Sequence, residues 1–356
     1  MENADKCGIS REKTLKLGGE NRMNRKLMVL GLISLLVLAI GTACGKGDQG
    51  AAGSKEVNIG YFPNLTHIAT IVALEKGYFA EEFGEDIKIN TKTVSNGGLF
   101  TEALVTKSID VGTVGPGPLL NLYVKDPNYH IISGAVNGGA VLVASEHSNI
   151  TELADLDGKK VAIPVIGSTQ DVMLRKALND VGLKPTSNGG TVELFAAAPA
   201  DTATLFIQKS VDAAATQEPW GYILETQANG KLLLDWESFA WGKESTNTVV
   251  AATKNFVNNE PFVTAYLTAH TKAVDFIKQN PEESQDLVIQ HIKGLTGKEI
   301  NKEELQAAFA HLEVTTSVNE QVLQEMADIS KEADYIKSSD IDGMVQLDQL
   351  KAIEGK

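Results

Sequence analysis

The sequence predicts an α/β protein that folds as two similar lobes. Three observations lead to this prediction. Short β-type runs alternate with helical patterns after residue 55, the same alternation begins again near residue 160, and two apolar stretches can cross between the halves. Strand–helix–strand units at this spacing form right-handed crossovers, so each lobe is predicted to be a mostly parallel sheet flanked by helices.

The first half of the pattern predicts three strands and three helices. One of these strands alternates apolar and polar residues with a period of two, which is typical of a half-buried strand. Gly77 ends the first helical pattern, because glycine is a poor helix former. The predicted strands are 57–61, 87–94 and 109–114, and the predicted helices are 65–76, 99–106 and 119–125.

The second half repeats this pattern with four strands and three helices. Pro164 marks the end of its first strand, and Gly182 follows a helix in the position of a C-cap. The predicted strands are 160–164, 192–195, 211–215 and 231–234, and the predicted helices are 169–180, 201–209 and 219–225.

Two crossings set the predicted boundaries of the lobes. Apolar runs at 131–136 and 140–145 are split by Asn137-Gly138-Gly139, and a second crossing is predicted at 246–253. The helix-rich C-terminal third is expected to return to the first lobe. Lobe 1 is therefore predicted to comprise 56–143 and 246–356, lobe 2 to comprise 144–245, and the crossings to form the hinge.

The N-terminal region predicts export. Arg25 and Lys26 precede seventeen uncharged, mostly apolar residues, Leu27 to Ala43, which are followed by Cys44, as in a secretory signal. The end of this run resembles a bacterial lipobox, although Gly41 stands where that pattern prefers leucine. We therefore expect a signal peptide at 23–43, a lipid on Cys44 and a flexible tether at 44–55; an uncleaved membrane anchor is the alternative. Residues 1–22 are expected to be a doubtful leader upstream of the true start.

Composition excludes several classes of function. The net charge of −14 argues against a nucleic-acid partner. The two cysteines, Cys7 and Cys44, leave no thiol pair beyond the tether, and the six histidines show no metal-ligand spacing. No nucleotide-binding or hydrolase motif is present. We therefore expect no cofactor, no metal and no catalytic residue.

Glycine-rich segments between strands and helices indicate an anion site. Gly115-Pro116-Gly117 and Gly167-Ser168-Thr169-Gln170 each stand between a predicted strand and the start of a helix. Free N–H groups and the helix dipole favour an anion there. Arg175 is the only arginine after Cys44, and we expect it in a surface or interlobe salt bridge rather than at the ligand.

Several motifs, taken in their order along the chain, resemble those of the substrate-binding lipoproteins of ABC importers for aliphatic sulfonates, taurine and nitrate. These motifs are Ile59-Gly60-Tyr61-Phe62-Pro63-Asn64, Ala73-Leu74-Glu75-Lys76-Gly77-Tyr78-Phe79, Asp110-Val111-Gly112 before Gly115-Pro116-Gly117-Pro118, 153–162, Gly167-Ser168-Thr169-Gln170, and Val211-Asp212-Ala213 before Glu218-Pro219-Trp220. The resemblance implies a type II periplasmic-binding-protein fold with a ligand between its lobes. It also implies a monomer, held to the outer face of the cell membrane by the lipid, that delivers solute to an ABC permease and its ATPase.

The resemblance and the strand ends together give a candidate ligand-binding set. Trp220 is predicted to line the cleft, with a core position as the alternative; Glu218 would suit an ammonium group or only complement a helix dipole. Asn137 and Gly138 are predicted to belong to the hinge or to the wall of the cleft. The predicted set is Asn64, His67, Gly115, Pro116, Gly117, Asn137, Gly138, Ser168, Thr169, Gln170, Glu218 and Trp220.

The predicted ligand is a small anionic or zwitterionic organic solute. The leading interpretation is an alkanesulfonate, taurine-like or aliphatic. Nitrate, bicarbonate or a thiamine-pyrimidine precursor on the same fold is the alternative. A pyrimidine-synthase-like enzyme is more remote, because those enzymes rely on a cysteine-rich motif that this chain lacks.

Overall fold

A computed structural model describes residues 56–297 and 300–355, which belong to one compact unit, Ser54–Lys356. The predicted leader at 1–22, the signal at 23–43, the lipid site Cys44 and the tether at 44–55 lie outside the described residues. Among the described helices, none is both long and apolar enough to cross a membrane.

The described part of the chain alternates strands and helices. The strands are β1 Glu56–Tyr61, β2 Lys88–Thr93, β3 Val111–Val114, β4 Tyr129–Gly138, β5 Ala140–Ser145, β6 Lys160–Ile163, β7 Glu193–Ala196, β8 Ala213–Gln217, β9 Gly230–Leu234, β10 Thr246–Thr253 and β11 Leu312–Val314. The helices are α1 Ile68–Glu75, α2 Tyr78–Phe83, α3 Gly97–Val105, α4 Pro116–Tyr123, α5 Thr169–Asp180, α6 Thr202–Ile207, α7 Trp220–Gln227, α8 Lys254–Val257, α9 Glu260–Gln279, α10 Pro281–Thr296, α11 Lys302–Phe309, α12 Glu320–Glu332 and α13 Asp348–Glu354.

The strands form two separate sheets, which confirms the α/β prediction. The first sheet has the order β11-β4-β10-β3-β1-β2 and the second has the order β7-β6-β8-β5-β9. Both sheets are mixed, so the prediction that each would be mostly parallel was wrong. Parallel pairs join β1 to β2 and β3, and β6 to β7 and β8, whereas β10 and β5 pair antiparallel with both of their neighbours.

The first crossing between the sheets is a direct continuation of one strand into another. β4 belongs to the first sheet and β5 to the second, and only Gly139 separates them. Gly138 and Gly139 have φ angles of +69° and +72°, a conformation that glycine adopts without steric cost. The lobe boundary predicted between residues 143 and 144 therefore falls inside β5, and the boundary predicted at 246 falls at the first residue of β10.

Each sheet carries a buried apolar layer on both of its faces. Helix α9 illustrates how the sequence builds such a layer. Val263, Tyr266, Leu267, Val274 and Ile277 recur at helical spacing and are buried. Burial of each large apolar side chain contributes about 1.5–3 kcal/mol.

The C-terminal third lies mainly against the first sheet. Strand β11 pairs antiparallel with β4, and α13 packs on α9. Helix α12 contacts both α4 of the first lobe and α5 of the second. The last helices therefore cover one side of the junction between the lobes.

Candidate functional site

A narrow cavity lies where the carboxyl ends of four strands meet between the two sheets. Phe62 follows β1, Gly115 follows β3, Pro164 follows β6 and Gln217 ends β8; all four line the cavity. Open α/β sheets bind ligands at such strand ends. This inner cavity has a volume of about 30 Å³, enough only for a compact group.

A second and larger cavity adjoins the first. It has a volume of about 350 Å³ and shares the walls Phe62, Ser95 and Gln217 with the inner cavity. Its remaining walls are mostly apolar and include Trp220. We call this second space the outer cavity, and its other lining residues are Pro63, Asn64, Val94, Ala198, Pro199, Ala200, Ala203, Ile223, Gln227, Ile292, Ile300 and Glu304.

Helix α5 brings its N-terminus to the inner cavity. Ser168 is the N-cap, and its Oγ accepts the N–H of Asp171 at 3.2 Å. The N–H groups of Thr169 and Gln170 have no acceptor among the described residues. Because unpaired N–H groups carry the positive end of the helix dipole, this terminus favours an anion.

Helix α3 brings a second N-terminus to the same cavity from the other lobe. Asn96 is its N-cap and accepts the N–H of Leu99 at 3.0 Å. Asn96 and Gly97 line the inner cavity. The sequence pattern predicted a helix here but gave it no part in the site.

Helix α4 differs from the sequence-based expectation of free N–H groups. Pro116 and Pro118 occupy its first and third positions and have no N–H. The N–H of Gly117, between them, donates to Thr169 Oγ1 of the other lobe at 3.1 Å. Gly117 thus joins the lobes, and Pro116 lines neither cavity.

His67 lines the inner cavity as a neutral group. Burial lowers the pKa of its imidazole from 6.5 to about 3. Its ring stacks on Phe62 with centroids 4.3 Å apart, and its Nδ1 is 2.7 Å from Thr113 Oγ1. Nε2 has no partner among the described residues.

Two buried amides complete the inner cavity, and the sequence did not single out either of them. Asn247, on β10, is 2% exposed; its Oδ1 accepts from Gln170 Nε2 at 3.2 Å, while its Nδ2 has no partner in the described part of the chain. Gln217 Oε1 is likewise buried and unpaired among these residues. The sequence offered one signal for each residue: Gln217 is a polar residue just after a predicted strand, and Asn247 is a polar residue in the predicted second crossing.

The inner cavity carries no formal charge. Its described lining residues include no lysine, arginine, aspartate or glutamate, and the low pKa of His67 keeps that ring neutral. A ligand here is held by uncharged donors: backbone N–H groups, side-chain amides and hydroxyls.

Glu218 lies outside both cavities. Its carboxylate is 1% exposed, lies 2.7 Å from His311 Nδ1 and accepts the N–H of Tyr222 at 3.0 Å. The hydrogen bond that His311 donates to Glu218 raises the pKa of His311. Asn137 and Gly138 also line neither cavity; a Cβ on Gly138 would lie 2.3 Å from the ring of Trp236.

Arg175 is buried in a network that joins the lobes. Its Nε donates to Asp171 Oδ1 at 2.9 Å within α5, and Nη2 donates to Tyr335 Oη at 2.5 Å. Tyr335 follows α12 and donates to Asp171 Oδ2 at 2.5 Å. The guanidinium therefore binds protein groups and lines neither cavity.

The structure brings together part of the predicted ligand-binding set. His67, Gly115, Ser168, Thr169 and Gln170 line the inner cavity, and Asn64 and Trp220 line the outer one. No cluster of His, Cys, Asp and Glu that could hold a metal ion occurs in residues 56–297 and 300–355.

Two α/β lobes with a cavity between them define the fold of the periplasmic binding proteins. The alkanesulfonate-binding protein SsuA from Xanthomonas axonopodis pv. citri, solved with MOPS bound, superposes with a TM-score of 0.70 at 21% identity, over 83% of this chain and all (100%) of that one. The periplasmic nitrate-binding protein NrtA from Synechocystis superposes with a TM-score of 0.71 at 15% identity, over 85% and 89%. At these identities the likeness shows the fold alone.

Sequence comparison identifies the family. A protein of Bacillus subtilis named as an aliphatic sulfonates-binding protein is 30% identical over 269 residues, 73% of this chain and 77% of the relative. The taurine-binding periplasmic protein of Escherichia coli is 28% identical over 54% of this chain and 57% of its own length. Residues 50–292 match the NMT1-like family model; the chain belongs to this family, which confirms the resemblance seen in the motifs.

Proposed function

We propose that the protein is the extracytoplasmic solute-binding component of an ABC importer, and that it binds a small organic sulfonate between its lobes. The observation that carries the proposal is the inner cavity, where donors from both lobes converge without a carboxylate among its described walls. Relatives named for aliphatic sulfonate and taurine binding support the class of ligand. Their names describe binding proteins, which supports binding rather than catalysis.

The proposed ligand joins the lobes as well as filling the cavity. The N-terminus of α5 belongs to the second lobe, and His67 with the N-terminus of α3 belongs to the first. A ligand that touches both lobes binds the closed state more tightly than the open one, and this difference in affinity drives closure.

Binding can be tested by titration calorimetry of the purified full chain in detergent. Methanesulfonate, taurine and larger sulfonates would be compared with nitrate, bicarbonate and an aminopyrimidine. At least one sulfonate is expected to bind with micromolar or tighter affinity. Heat from another class of solute, with none from any sulfonate, would overturn the ligand assignment and favour one of the alternatives.

We propose further that a lipid on Cys44 anchors the protein at the outer face of the membrane, as a monomer that docks to a permease and its ATPase. Cells fed with labelled fatty acid are expected to label the wild-type chain, and Cys44→Ser is expected to abolish the label. Equal labelling of both chains, or a mature wild-type protein without lipid, would refute the anchor while leaving the binding proposal intact.

A further inference from the structure

The two adjoining cavities differ in size and in chemistry. The inner cavity, of about 30 Å³, is lined mainly by residues with polar side chains, and the outer cavity, of about 350 Å³, is mostly apolar. Binding sites for small organic ligands commonly have volumes of about 300–1,000 Å³. The outer cavity lies in this range by itself and the inner one does not. Most of a ligand that fills the site therefore lies in the outer cavity.

The outer cavity has room for a ring. An engineered apolar cavity of about 150 Å³ holds benzene, and the outer cavity is more than twice as large. Trp220 and Phe62 provide aromatic surfaces in its wall, and Val94, Pro199 and Ile223 provide aliphatic ones. Aromatic side chains stack with ring-shaped ligands in addition to burying their surface.

The walls near the inner cavity do not suit an ammonium group. With the anionic end of a ligand in the inner cavity, an amine two carbons away lies near the shared walls Phe62, Ser95 and Gln217. The acceptors there are uncharged: Gln217 Oε1 and the hydroxyl oxygen of Ser95. Glu218 is held by His311 outside both cavities, and Glu304, in the outer wall, accepts from Gln227 Nε2 at 3.1 Å.

We infer that the preferred ligand is a singly charged sulfonate with a ring-bearing apolar tail, whose sulfonate lies in the inner cavity and whose tail fills the outer cavity beside Trp220. This inference rests on the proposed function and names the ligand class more narrowly. A single charge matches a site that offers only neutral donors. A tail of one or two rings matches the volume and the walls of the outer cavity.

The inference is tested by calorimetry of the full chain, which measures its affinity for four ligands that share the sulfonate group and differ in their tails. Methanesulfonate, taurine, benzenesulfonate and naphthalene-2-sulfonate carry the same sulfonate. Because each buried methylene-sized group tightens binding about fourfold, benzenesulfonate is expected to bind at least about tenfold tighter than methanesulfonate. Naphthalene-2-sulfonate is expected to bind at least as tightly as benzenesulfonate, and taurine no more tightly than methanesulfonate.

Two variants change the outer cavity alone. Trp220→Ala removes the aromatic wall, and Ala203→Leu fills part of the space from α6. Each is expected to weaken binding of naphthalene-2-sulfonate about tenfold and to change that of methanesulfonate less than twofold. Ile207→Ala is the control, because Ile207 lies on the same helix as Ala203, is 67% exposed and lines neither cavity.

The outcomes separate this inference from the proposed function. Equal affinity for all four sulfonates, or tighter binding of taurine, would overturn the inference and leave sulfonate binding in place. Binding of no sulfonate would overturn both. If Trp220→Ala does not fold, Ala203→Leu and the ligand series on the wild-type chain still show whether the tail of the ligand fills the outer cavity.

Discussion

Three helices start at the junction of the lobes after glycine- or proline-containing turns, and their N-termini differ in what they can bind. The first turn of α4 lacks two N–H groups, at Pro116 and Pro118, and uses a third to bind Thr169. The first turn of α7 already holds a carboxylate, because Glu218 accepts the N–H of Tyr222. Of these three helices, α5 is the one whose first-turn N–H groups without an acceptor in the described part of the chain, those of Thr169 and Gln170, belong to residues that line the inner cavity. A helix start can thus serve as an anion site only where neither proline nor the protein's own groups occupy it.

The largest expected effect comes from placing a carboxylate beside the open terminus of α5. Asn247→Asp replaces the buried, unpaired Nδ2 donor with a negative oxygen in the inner cavity. Repulsion and the lost donor together are expected to weaken sulfonate binding about 100-fold or more, as measured by calorimetry. Asn255→Asp is the matched control: Asn255 is exposed on α8 and lines neither cavity, so the affinity is expected to stay within twofold. A normal affinity in Asn247→Asp would mean that the anion binds elsewhere.

The next test breaks the contact between α4 and α5. In Gly117→Ala, the new Cβ would lie 2.9 Å from Thr169 N and 3.0 Å from Ser168 C, atoms of the opposite backbone. The lobes then cannot close fully, and sulfonate affinity is expected to fall about tenfold, with a larger radius of gyration by small-angle scattering of the liganded protein. Gly294→Ala is the control, since a Cβ there meets nothing within 4 Å. Unchanged closure in Gly117→Ala would show that this contact does not define the closed state.

A smaller effect is expected at the contact between α5 and Tyr335, which follows α12. Tyr335→Phe removes the hydroxyl that bonds both Arg175 and Asp171. Because these bonds link the C-terminal segment to α5, their loss is expected to weaken the closed state and ligand affinity about threefold to tenfold. Tyr222→Phe, at a tyrosine outside this network, serves as the control. An affinity equal to that of the wild type would place the network outside the closing step.

The smallest effect concerns the filled terminus of α7. In the folded protein the pKa of His311 is raised above 6.5, chiefly by its hydrogen bond to Glu218. The ion pair therefore stabilises the fold while His311 is protonated, at low pH. This contribution is lost as the pH rises through the raised pKa. The Tm of the wild type is expected to exceed that of His311→Gln at pH 6 and to approach it by pH 9. Glu218→Gln should remove the same pH dependence and leave sulfonate affinity within twofold. A large loss of affinity in Glu218→Gln would show instead that Glu218 serves the ligand.

Local sequence patterns predicted most of the fold. Short β-type runs and glycine or proline stops located ten of the eleven described strands, because these signals depend on neighbouring residues alone. The short strand β11 was not predicted. The antiparallel pairing of β5 and β10 with their neighbours was not predictable in this way. The predicted helix at 119–125 starts earlier, at Pro116, since proline is tolerated in a first turn.

The site was predictable only where it follows strand ends. Gly115 and Ser168 were found in this way, and both line the inner cavity. Asn247 escaped because its importance depends on Gln170, which lies 77 residues away in sequence. The partner of Glu218, His311, is 93 residues away, so the sequence could not show that this carboxylate was already engaged.

The absence of formal charge among the described walls of the inner cavity has a consequence for the environment in which the protein works. Hydrogen bonds from buried, uncharged donors to the sulfonate are screened little by dissolved ions, so the dissociation rate of the ligand is expected to vary little between dilute and saline media. The whole chain carries a net charge of −14 and repels anions at long range, and salt weakens this repulsion. Capture of a negatively charged nutrient is therefore expected to become faster, not slower, as the surroundings become more saline.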